Sequence, residues 1–183
     1  MKSEAPTGTV IVTGGSRGIG AAACRALAER CHAVAINYTR DAAAAEALAS
    51  ELRARGAKAL AVQADVADAA QVAALFARVD RELPPLAGLV NNAGVVDMPA
   101  RVDEMDAARL QRMFAINVFG SFYCAREAVR RLSTQHGGRG GAIVNVSSAA
   151  ARLGSPAART KWRRRSSGCC RTRPATPPAR SST

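Results

Sequence analysis

TVIVTGGSRGIG, residues Thr9 to Gly20, is the stretch that decides the fold. Its first five residues are apolar or β-branched and predict a short buried strand, and the alanine-rich sequence that follows, to about Arg30, predicts a helix. Gly14 permits a tight turn between them, Gly18 lets the backbone approach a pyrophosphate, and Gly20 lets the helix pack closely on the strand. The N–H groups at such a helix start favour anions, so the stretch predicts a phosphate site. The alternative is a plain glycine-rich turn.

Strands and helices continue to alternate after this stretch. Further strands are predicted at residues 33–37, 58–63, 87–91 and 142–147, and further helices at residues 41–55, 68–83 and about 103–133. Gly56 is placed to end the second helix, and Asp68 to cap the third. Apolar residues recur at every fourth position of the last helix, as Leu110, Phe114, Val118 and Phe122. The pattern predicts an α/β fold, a Rossmann-type doubly wound parallel sheet of about five strands in the order 3-2-1-4-5.

The high positive charge of the chain is concentrated at its C-terminal end. The sequence has 26 basic and 14 acidic residues, a net charge of +12. Residues 157–183 hold eight of the basic residues and no acidic ones, which leaves 18 basic and 14 acidic residues, a net charge of +4, on residues 1–156. The same 27 residues contain no Val, Ile, Leu, Met or Phe. Such a composition cannot offset its ordering entropy, so we predict a basic disordered tail over residues 157–183.

The N-terminal residues and the cysteines bear on where the protein works. The start, MKSEAPTG, has no apolar segment typical of a secretory signal, and no run of 18 apolar residues follows it. The five cysteines, at positions 24, 31, 124, 169 and 170, show neither metal-ligand spacing nor the pattern of a disulfide framework. We therefore expect a cytoplasmic protein with reduced thiols, no metal site and no membrane segment.

Four motifs in order give the sequence a family resemblance. The glycines are spaced G-x-x-x-G-x-G, the segment from Asn91 to Gly94 reads NNAG after the fourth strand, Asn117 stands in INVFG on the long helix, and residues 143–148 read IVNVSS. Together they resemble the short-chain dehydrogenase/reductase family over residues 9 to about 156 without a gap. The resemblance implies that residues 1–156 form an NAD(P)-binding Rossmann domain.

The resemblance also implies a role for individual residues. Ser148 would hydrogen-bond the substrate carbonyl, with Ser147 as the close competitor, and Asn117 would feed a water-mediated proton relay, although it could instead satisfy only backbone groups. Asp65 would accept from the adenine amino group, and Asn91 and Gly94 would line the cofactor, although Asn91, like Asn117, could instead satisfy only backbone groups. The residues expected to bind the cofactor are Gly14, Ser16, Arg17, Gly18, Ile19, Gly20, Tyr38, Arg40, Asp65, Val66, Asn91, Ala93 and Gly94.

The choice between NADP and NAD depends on charge near the second strand. NAD enzymes usually carry an acidic residue at the end of that strand, which holds the ribose 2′-hydroxyl. Here the strand is followed by Arg40 before Asp41 appears, and Arg17 lies in the glycine loop. Two arginines suit a 2′-phosphate, so we expect NADP rather than NAD. The alternative is that both arginines are solvated surface residues.

One element of the family pattern is missing. The family uses a tyrosine as proton donor and a lysine four residues later, and here Lys161 and Trp162 stand where the tyrosine is expected, with Ala157 four residues before the lysine. The family's last two strands are also missing from the sequence. We expect an incomplete domain with little or no activity. A reading-frame shift near Pro156 is our hypothesis for the change of composition, and an intact frame across codons 150–170 of the gene would refute it.

These inferences leave three functions to compare. The first is an NADP-dependent oxidoreductase that transfers hydride to or from a carbonyl or alcohol substrate. The second is a nucleotide-binding remnant without catalysis. The third, a nucleic-acid binder through the arginine-rich tail, is disfavoured because the tail has a single aromatic residue, Trp162. Family members are usually homo-oligomers, and we doubt that state for this chain.

Overall fold

The computed structural model of the protein describes residues 7–30 and 32–148. The chain divides into two compact units, residues 1–146 and residues 147–183. The first contains all the helices and strands below, and only Ser147 and Ser148 of the second are described. The predicted boundary between a domain over residues 1–156 and a tail over residues 157–183 lies outside the described residues, as do Lys161 and Trp162.

Five parallel strands form one sheet, in the order β3-β2-β1-β4-β5. The strands are β1 (Thr9–Val12), β2 (Ala33–Tyr38), β3 (Ala59–Gln63), β4 (Leu86–Asn91) and β5 (Ala142–Asn145). In register, Ile11 of β1 lies between Ala35 of β2 and Leu89 of β4. The predicted α/β class, the parallel pairing and the strand order are therefore confirmed.

Helices connect the strands and cover the sheet. They are α1 (Gly18–Glu29), α2 (Ala42–Ala54), α3 (Ala69–Glu82), α4 (Ala107–Phe114) and α5 (Gly120–Leu132). The predicted helix signals act as expected: Asp68 accepts hydrogen bonds from the N–H groups of Ala70 at 2.8 Å and Gln71 at 3.2 Å, and Gly56 follows α2 with a φ of 88°.

Two apolar cores lie on opposite faces of the sheet, because side chains alternate along each strand. Ile11 and Ala35 point to the face covered by α3 and α5, where they meet Phe76. Val12 and Ile36 point to the face covered by α1 and α2. Both faces of the central strands are thus buried, which explains why β1 and β2 read as nearly continuous apolar runs.

The long helix differs from its prediction at its start. The expected helix from about residue 103 begins instead at Ala107, because Asp106 caps it by accepting a hydrogen bond from the N–H of Arg109 at 2.6 Å. Residues Val102–Glu104 form a separate 3₁₀ turn. From Ala107 the helix runs without interruption to Leu132, and its middle segment, Ala115–Phe119, is a π-helix.

The apolar residues at every fourth position of this helix do not form its buried face. Leu110 is 40% exposed, Phe114 54% and Phe122 72%. The buried face of α5 is made instead by Gly120, Cys124, Glu127, Ala128 and Leu132. A spacing of four residues identified the helix, but it did not identify which side of the helix faces the sheet.

Strand β5 is shorter and more exposed than predicted. It ends at Asn145, so Ser147 and Ser148 follow the strand rather than belong to it. Ile143 packs against the core under α5, whereas Val144, on the other face, is 51% exposed. One face of β5 is therefore much less buried than the faces of the central strands.

Candidate functional site

A cavity of about 510 Å³ opens at the carboxyl ends of the strands. Its lining residues come from the last residue of β2, from the segments that follow β1, β2, β3 and β4, and from one position of the long helix. They are Gly14, Ser16, Arg17, Tyr38, Thr39, Arg40, Asp41, Asp65, Val66, Asn92, Ala93, Gly94, Val95 and Ile116. Ligands of open parallel sheets bind outside the carboxyl ends of the strands. Nine of the thirteen residues expected to bind the cofactor line this one cavity.

The glycine loop forms the wall of the cavity nearest α1. Gly14 and Gly18 adopt φ values of 60° and 55°, which side-chain-bearing residues rarely adopt. Arg17 occupies the N-cap position of α1 and its side chain caps no N–H group there. The first N–H groups of a helix have no partner within the helix, so this uncapped end is suited to an anion. Gly18 and Ile19, the first two residues of α1, are exposed.

Gly20 lies behind the loop rather than in the cavity wall. A Cβ atom at this position would lie 2.6 Å from the side-chain nitrogen of Asn92, which is closer than real Cβ contacts. Glycine is therefore required here for close packing, which is the role its place in the sequence predicts. It shapes the site without lining it.

Hydrogen bonds join the loop after β1 to the NNAG segment after β4. The Thr13 hydroxyl accepts from the backbone N–H of Asn92 at 3.0 Å and from that of Ala93 at 2.9 Å. The Asn92 side chain donates to the carbonyl oxygens of Thr13 at 2.9 Å and Gly14 at 3.0 Å. These contacts fix the two loops relative to each other, and the cavity lies between their outer ends.

Asn91 and Asn117, both predicted site residues, make hydrogen bonds with neighbouring elements. Asn91 is buried, and its side-chain nitrogen donates to the Ser121 carbonyl at 3.2 Å and to the Asn145 side chain at 2.9 Å. Asn117 pairs with the backbone of Val95: its oxygen accepts from that N–H at 2.8 Å, and its nitrogen donates to that carbonyl at 2.9 Å. Neither asparagine lines the cavity, although Val95 does.

Asn117 lies within the π-helical segment of the long helix. Single π-turns inside α-helices occur frequently at functional sites, because the extra residue changes which backbone groups are bonded. Here the π-turn coincides with the residue that holds the loop containing Val95. The local distortion of the helix therefore lies beside the cavity wall.

The end of β2 and the segment after it bring charged groups to the cavity. Tyr38 and Arg40, two of the residues expected to bind the cofactor, line the cavity together with Asp41. Asp41 is the first acidic residue after β2, and its carboxylate accepts a hydrogen bond from the N–H of Ala44 at 3.0 Å as the N-cap of α2. Arg17 reaches the same cavity from the glycine loop. The Asp41 carboxylate is thus engaged by the start of α2, whereas Arg17 and Arg40 both line the cavity.

Asp65 and Val66 form the wall that follows β3. The Asp65 carboxylate accepts from the N–H of Ala67 at 2.9 Å. Val66 is buried and lies against the long helix, where a Cβ added to Gly120 would be 2.9 Å from its Cγ2 atom. A glycine in the helix therefore permits the close approach of this wall.

Ser147 and Ser148 belong to the second unit, of which nothing further is described. Both are exposed. Their predicted role toward a substrate carbonyl stays a prediction.

Within residues 7–30 and 32–148, no group of three or more potential metal ligands occurs, and no helix is long and apolar enough to cross a membrane. Cys24 and Cys124 are buried, and burial raises the pKa of each thiol to about 12. At neutral pH neither is a thiolate nucleophile.

Several residues that shape the site were not identified from the sequence. Asn92, Thr39, Val95 and Ile116 line the cavity, and Asn37 is buried beside it. The NNAG segment did point to Asn92. The signal for Asn37 was a polar residue within an otherwise apolar strand, since a buried amide there needs specific partners.

Three known proteins are similar to this chain over most of its length. The uncharacterized oxidoreductase YgfF of Escherichia coli is 48% identical over 146 residues, which are 80% of this chain and 59% of that protein. A short chain dehydrogenase of Burkholderia cenocepacia, solved in complex with NADP, matches with a TM-score of 0.72 at 36% identity. The match covers 78% of this chain and 56% of that protein's chain. A blue fluorescent protein from a metagenomic library, solved in complex with NADPH, matches with a TM-score of 0.73 at 36% identity. That match covers 82% of this chain and 60% of the other.

These similarities agree with the motifs and with the fold. The chain spans a little over half the length of each of these relatives. The family model described as short chain dehydrogenase matches residues 8–160, so the match ends just before the position where the family's tyrosine is expected. The chain belongs to the short-chain dehydrogenase family.

Proposed function

We propose that this chain is the dinucleotide-binding part of an oxidoreductase that uses NADP(H) and acts on a small carbonyl or alcohol substrate. The observation that carries the proposal is the single cavity in which the glycine loop, Asp65, Val66 and the NNAG segment meet. Its volume of about 510 Å³ is within the range of ligand pockets. Two similar proteins solved with NADP or NADPH support the same cofactor.

The cavity is suited to a dinucleotide in each of its parts. The uncapped start of α1 offers N–H groups to a pyrophosphate. Asp65 and Val66 would take the adenine, and Ala93 and Gly94 the opposite half of the cofactor. When bound, the nicotinamide supplies or accepts the hydride, and the chain's own residues hold it in place.

Arg17 and Arg40 support a preference for NADP(H). Both line the cavity, and a phosphate on the ribose would give each guanidinium a charge-assisted partner. Asp41, the acidic residue that could instead hold a ribose hydroxyl, already accepts the N-cap hydrogen bond of α2. The positive charge of the two arginines therefore favours the 2′-phosphate.

The chain with this sequence is proposed to bind the cofactor without appreciable turnover. A hydride acceptor of this class needs a proton donor, and in this family a tyrosine supplies it. The only tyrosines in the sequence are Tyr38, on β2, and Tyr123, on α5. Loss of a general acid lowers a rate about 10²–10⁴-fold. Ser148 would polarise the substrate carbonyl and Asn117 would feed a water-mediated proton relay, but neither replaces the donor.

Calorimetric titration of the purified chain with NADPH and NADH tests the proposal. We expect NADPH to bind at least about tenfold more tightly, which corresponds to one charge-assisted contact. Arg17→Ala and Arg40→Ala should each remove most of that difference while changing NADH affinity little. Arg81→Ala is the matched control, since this exposed arginine in the last turn of α3 changes the net charge without touching the cavity.

The outcomes separate the proposal from its alternatives. Equal affinity for NADH and NADPH would refute the cofactor preference, and failure to bind either would refute the dinucleotide site. Oxidation of bound NADPH by simple ketones, at a rate well above that of a matched sample without protein, would contradict the predicted lack of turnover.

A further inference from the structure

Asn37 is a fully buried polar residue that lies outside the cavity but touches two of the segments that form it. Its relative exposure is 1%. Strand β2 lies between β1 and β3 in the sheet, so a residue near its carboxyl end is next to the ends of both neighbours. The loops that continue from those two neighbours hold Gly14 on one side and Asp65 on the other, and both line the cavity.

The two ends of the Asn37 side chain face these two loops. Its oxygen accepts from the backbone N–H of Gly14 at 3.3 Å. Its nitrogen donates to the carbonyl oxygens of Ala64 at 2.9 Å and Val62 at 3.4 Å. The Asn37 backbone carbonyl also accepts from the N–H of Gly15 at 2.8 Å. Asn37 is therefore hydrogen-bonded both to the glycine loop and to Ala64, the residue before Asp65.

On the β1 side these bonds begin where the regular strand pairing stops, whereas on the β3 side Asn37 is itself in register with Val62. Strand β1 ends at Val12 and β3 at Gln63, so both Gly14 and Ala64 lie beyond the strands. Pairing between β1 and β2 ends with Val12 opposite Ile36. The Asn37 side chain thus joins the segments that continue from β1 and β3, the two strands on either side of β2.

The chemistry of the site requires an amide. One end must accept from an N–H while the other donates to a carbonyl, and an amide has both functions at the required separation. An aspartate would present an anionic oxygen to the carbonyl groups of Ala64 and Val62, and a leucine would leave the Gly14 N–H without its partner. Buried groups left without partners are costly, so the position tolerates few replacements.

We propose that Asn37 is a positioning residue that sets the spacing between the glycine loop, which is proposed to bind the pyrophosphate, and the wall of Asp65 and Val66, which is proposed to bind the adenine. The inference rests on the proposed function, since it concerns the same dinucleotide site. A dinucleotide must engage both loops at once, so its affinity depends on their separation. A ligand that fills only the adenosine half reaches the glycine loop through the long, exposed Arg17 side chain alone, so its affinity depends much less on that separation.

Two ligands measured on the same variants test the inference. NADPH spans both loops, and adenosine 2′-monophosphate occupies only the adenosine half. For Asn37→Leu, which keeps a buried side chain of similar size, we expect NADPH affinity to fall about tenfold or more, because simultaneous engagement is lost. Affinity for adenosine 2′-monophosphate should change by less than about threefold, since the single contact set is retained.

Thr9→Val is the matched control. Thr9 is fully buried in the same sheet, and its hydroxyl donates to the Pro84 carbonyl at 2.6 Å at the opposite end of the strands. This variant loses a buried hydrogen bond of comparable kind and should lower the unfolding midpoint. Its ratio of NADPH to adenosine 2′-monophosphate affinity should match that of the wild-type chain, since the two sites are distant.

Each outcome decides the inference. Equal weakening of the two ligands in Asn37→Leu, or no weakening of NADPH, overturns it. If that variant does not fold, Asn37→Ser, which keeps a donor and an acceptor on a shorter side chain, should show the same unequal loss to a smaller degree, and an equal loss overturns the inference. If the wild-type chain binds adenosine 2′-monophosphate but not NADPH, the positioning inference fails while the adenosine half of the proposed function survives. If it binds neither ligand, both fail.

Discussion

Asn92 makes two hydrogen bonds to Thr13, across a sequence separation of 79 residues: its backbone N–H donates to the Thr13 hydroxyl at 3.0 Å and its side chain donates to the Thr13 carbonyl at 2.9 Å. The first residue follows β4 and the second follows β1, so the pair joins two neighbouring strands just beyond their ends. The cavity opens between the loops that continue from these residues. Its shape depends on this connection.

Replacement of Thr13 tests that dependence. Thr13→Val keeps the shape of the side chain but removes the acceptor of two partly buried N–H groups, those of Asn92 and Ala93. We expect a loss of about 1–3 kcal/mol in the free energy of unfolding, measured by urea denaturation. Thr13→Ser keeps the hydroxyl and is the control, with a smaller loss. Equal losses in the two variants would show that the hydroxyl does not hold the loops.

Replacement of Gly120 tests the packing of the long helix against the wall after β3. Alanine normally stabilises a helix interior relative to glycine. Here its Cβ would lie 2.9 Å from Val66 Cγ2, so we expect Gly120→Ala to lower the free energy of unfolding by about 1–3 kcal/mol and to weaken NADPH binding.

A double variant isolates the contact. Addition of Val66→Ala removes the crowding methyl groups, so in thermal unfolding the pair should be less destabilised than the sum of the single changes. A Gly120→Ala chain that is more stable than the wild type, as at an ordinary helix position, would contradict the close approach.

Because the thiols of Cys24 and Cys124 are buried, we expect the free energy of unfolding to fall at alkaline pH. Burial raises the pKa of the Cys124 thiol from 9.0 to about 12, with a smaller contribution from the charge of Glu127. The folded chain therefore holds this proton more tightly than the unfolded chain. The contribution of the neutral Cys124 thiol to the free energy of unfolding is complete below pH 9. It is lost as the pH rises toward 12, by about 1.4 kcal/mol for each pH unit.

Cys124→Ala removes this titration without adding another. Urea unfolding followed from pH 8 to pH 11 should show a shallower decline for the variant than for the wild-type chain. Cys24→Ala should behave in the same way, because burial raises the pKa of that thiol as well. Parallel declines of the variants and the wild type would argue against a titrating buried thiol.

Local patterns in the sequence predicted the fold well. The run from Thr9 to Gly20 places a strand, a turn and a helix in order, and the repeated alternation after it leaves few possible topologies. The signals of Asp68 and Gly56 depend on neighbouring residues only, so they too could be recognised before the structure was known.

Other features could not be predicted because they depend on distant parts of the chain. The bonds from Asn37 to Gly14 and Ala64, and from Asn92 to Thr13, join residues that are 23 to 79 positions apart. The face of the long helix that packs on the sheet was also hidden. Phe114 and Phe122 are as apolar as core residues, and only the packed structure shows that they are exposed.

Hydrogen–deuterium exchange of the chain with and without NADPH tests the central claim, that the cavity at the carboxyl ends of the strands holds a dinucleotide. We predict protection of the segments around residues 13–20, 37–41, 64–66 and 92–95, which line or support that cavity. A second cavity of about 320 Å³, lined by Gly8, Leu86 and Arg139 among others at the opposite end of the strands, should show no change. Protection at that second cavity instead, or no protection at saturating NADPH, would contradict the claim.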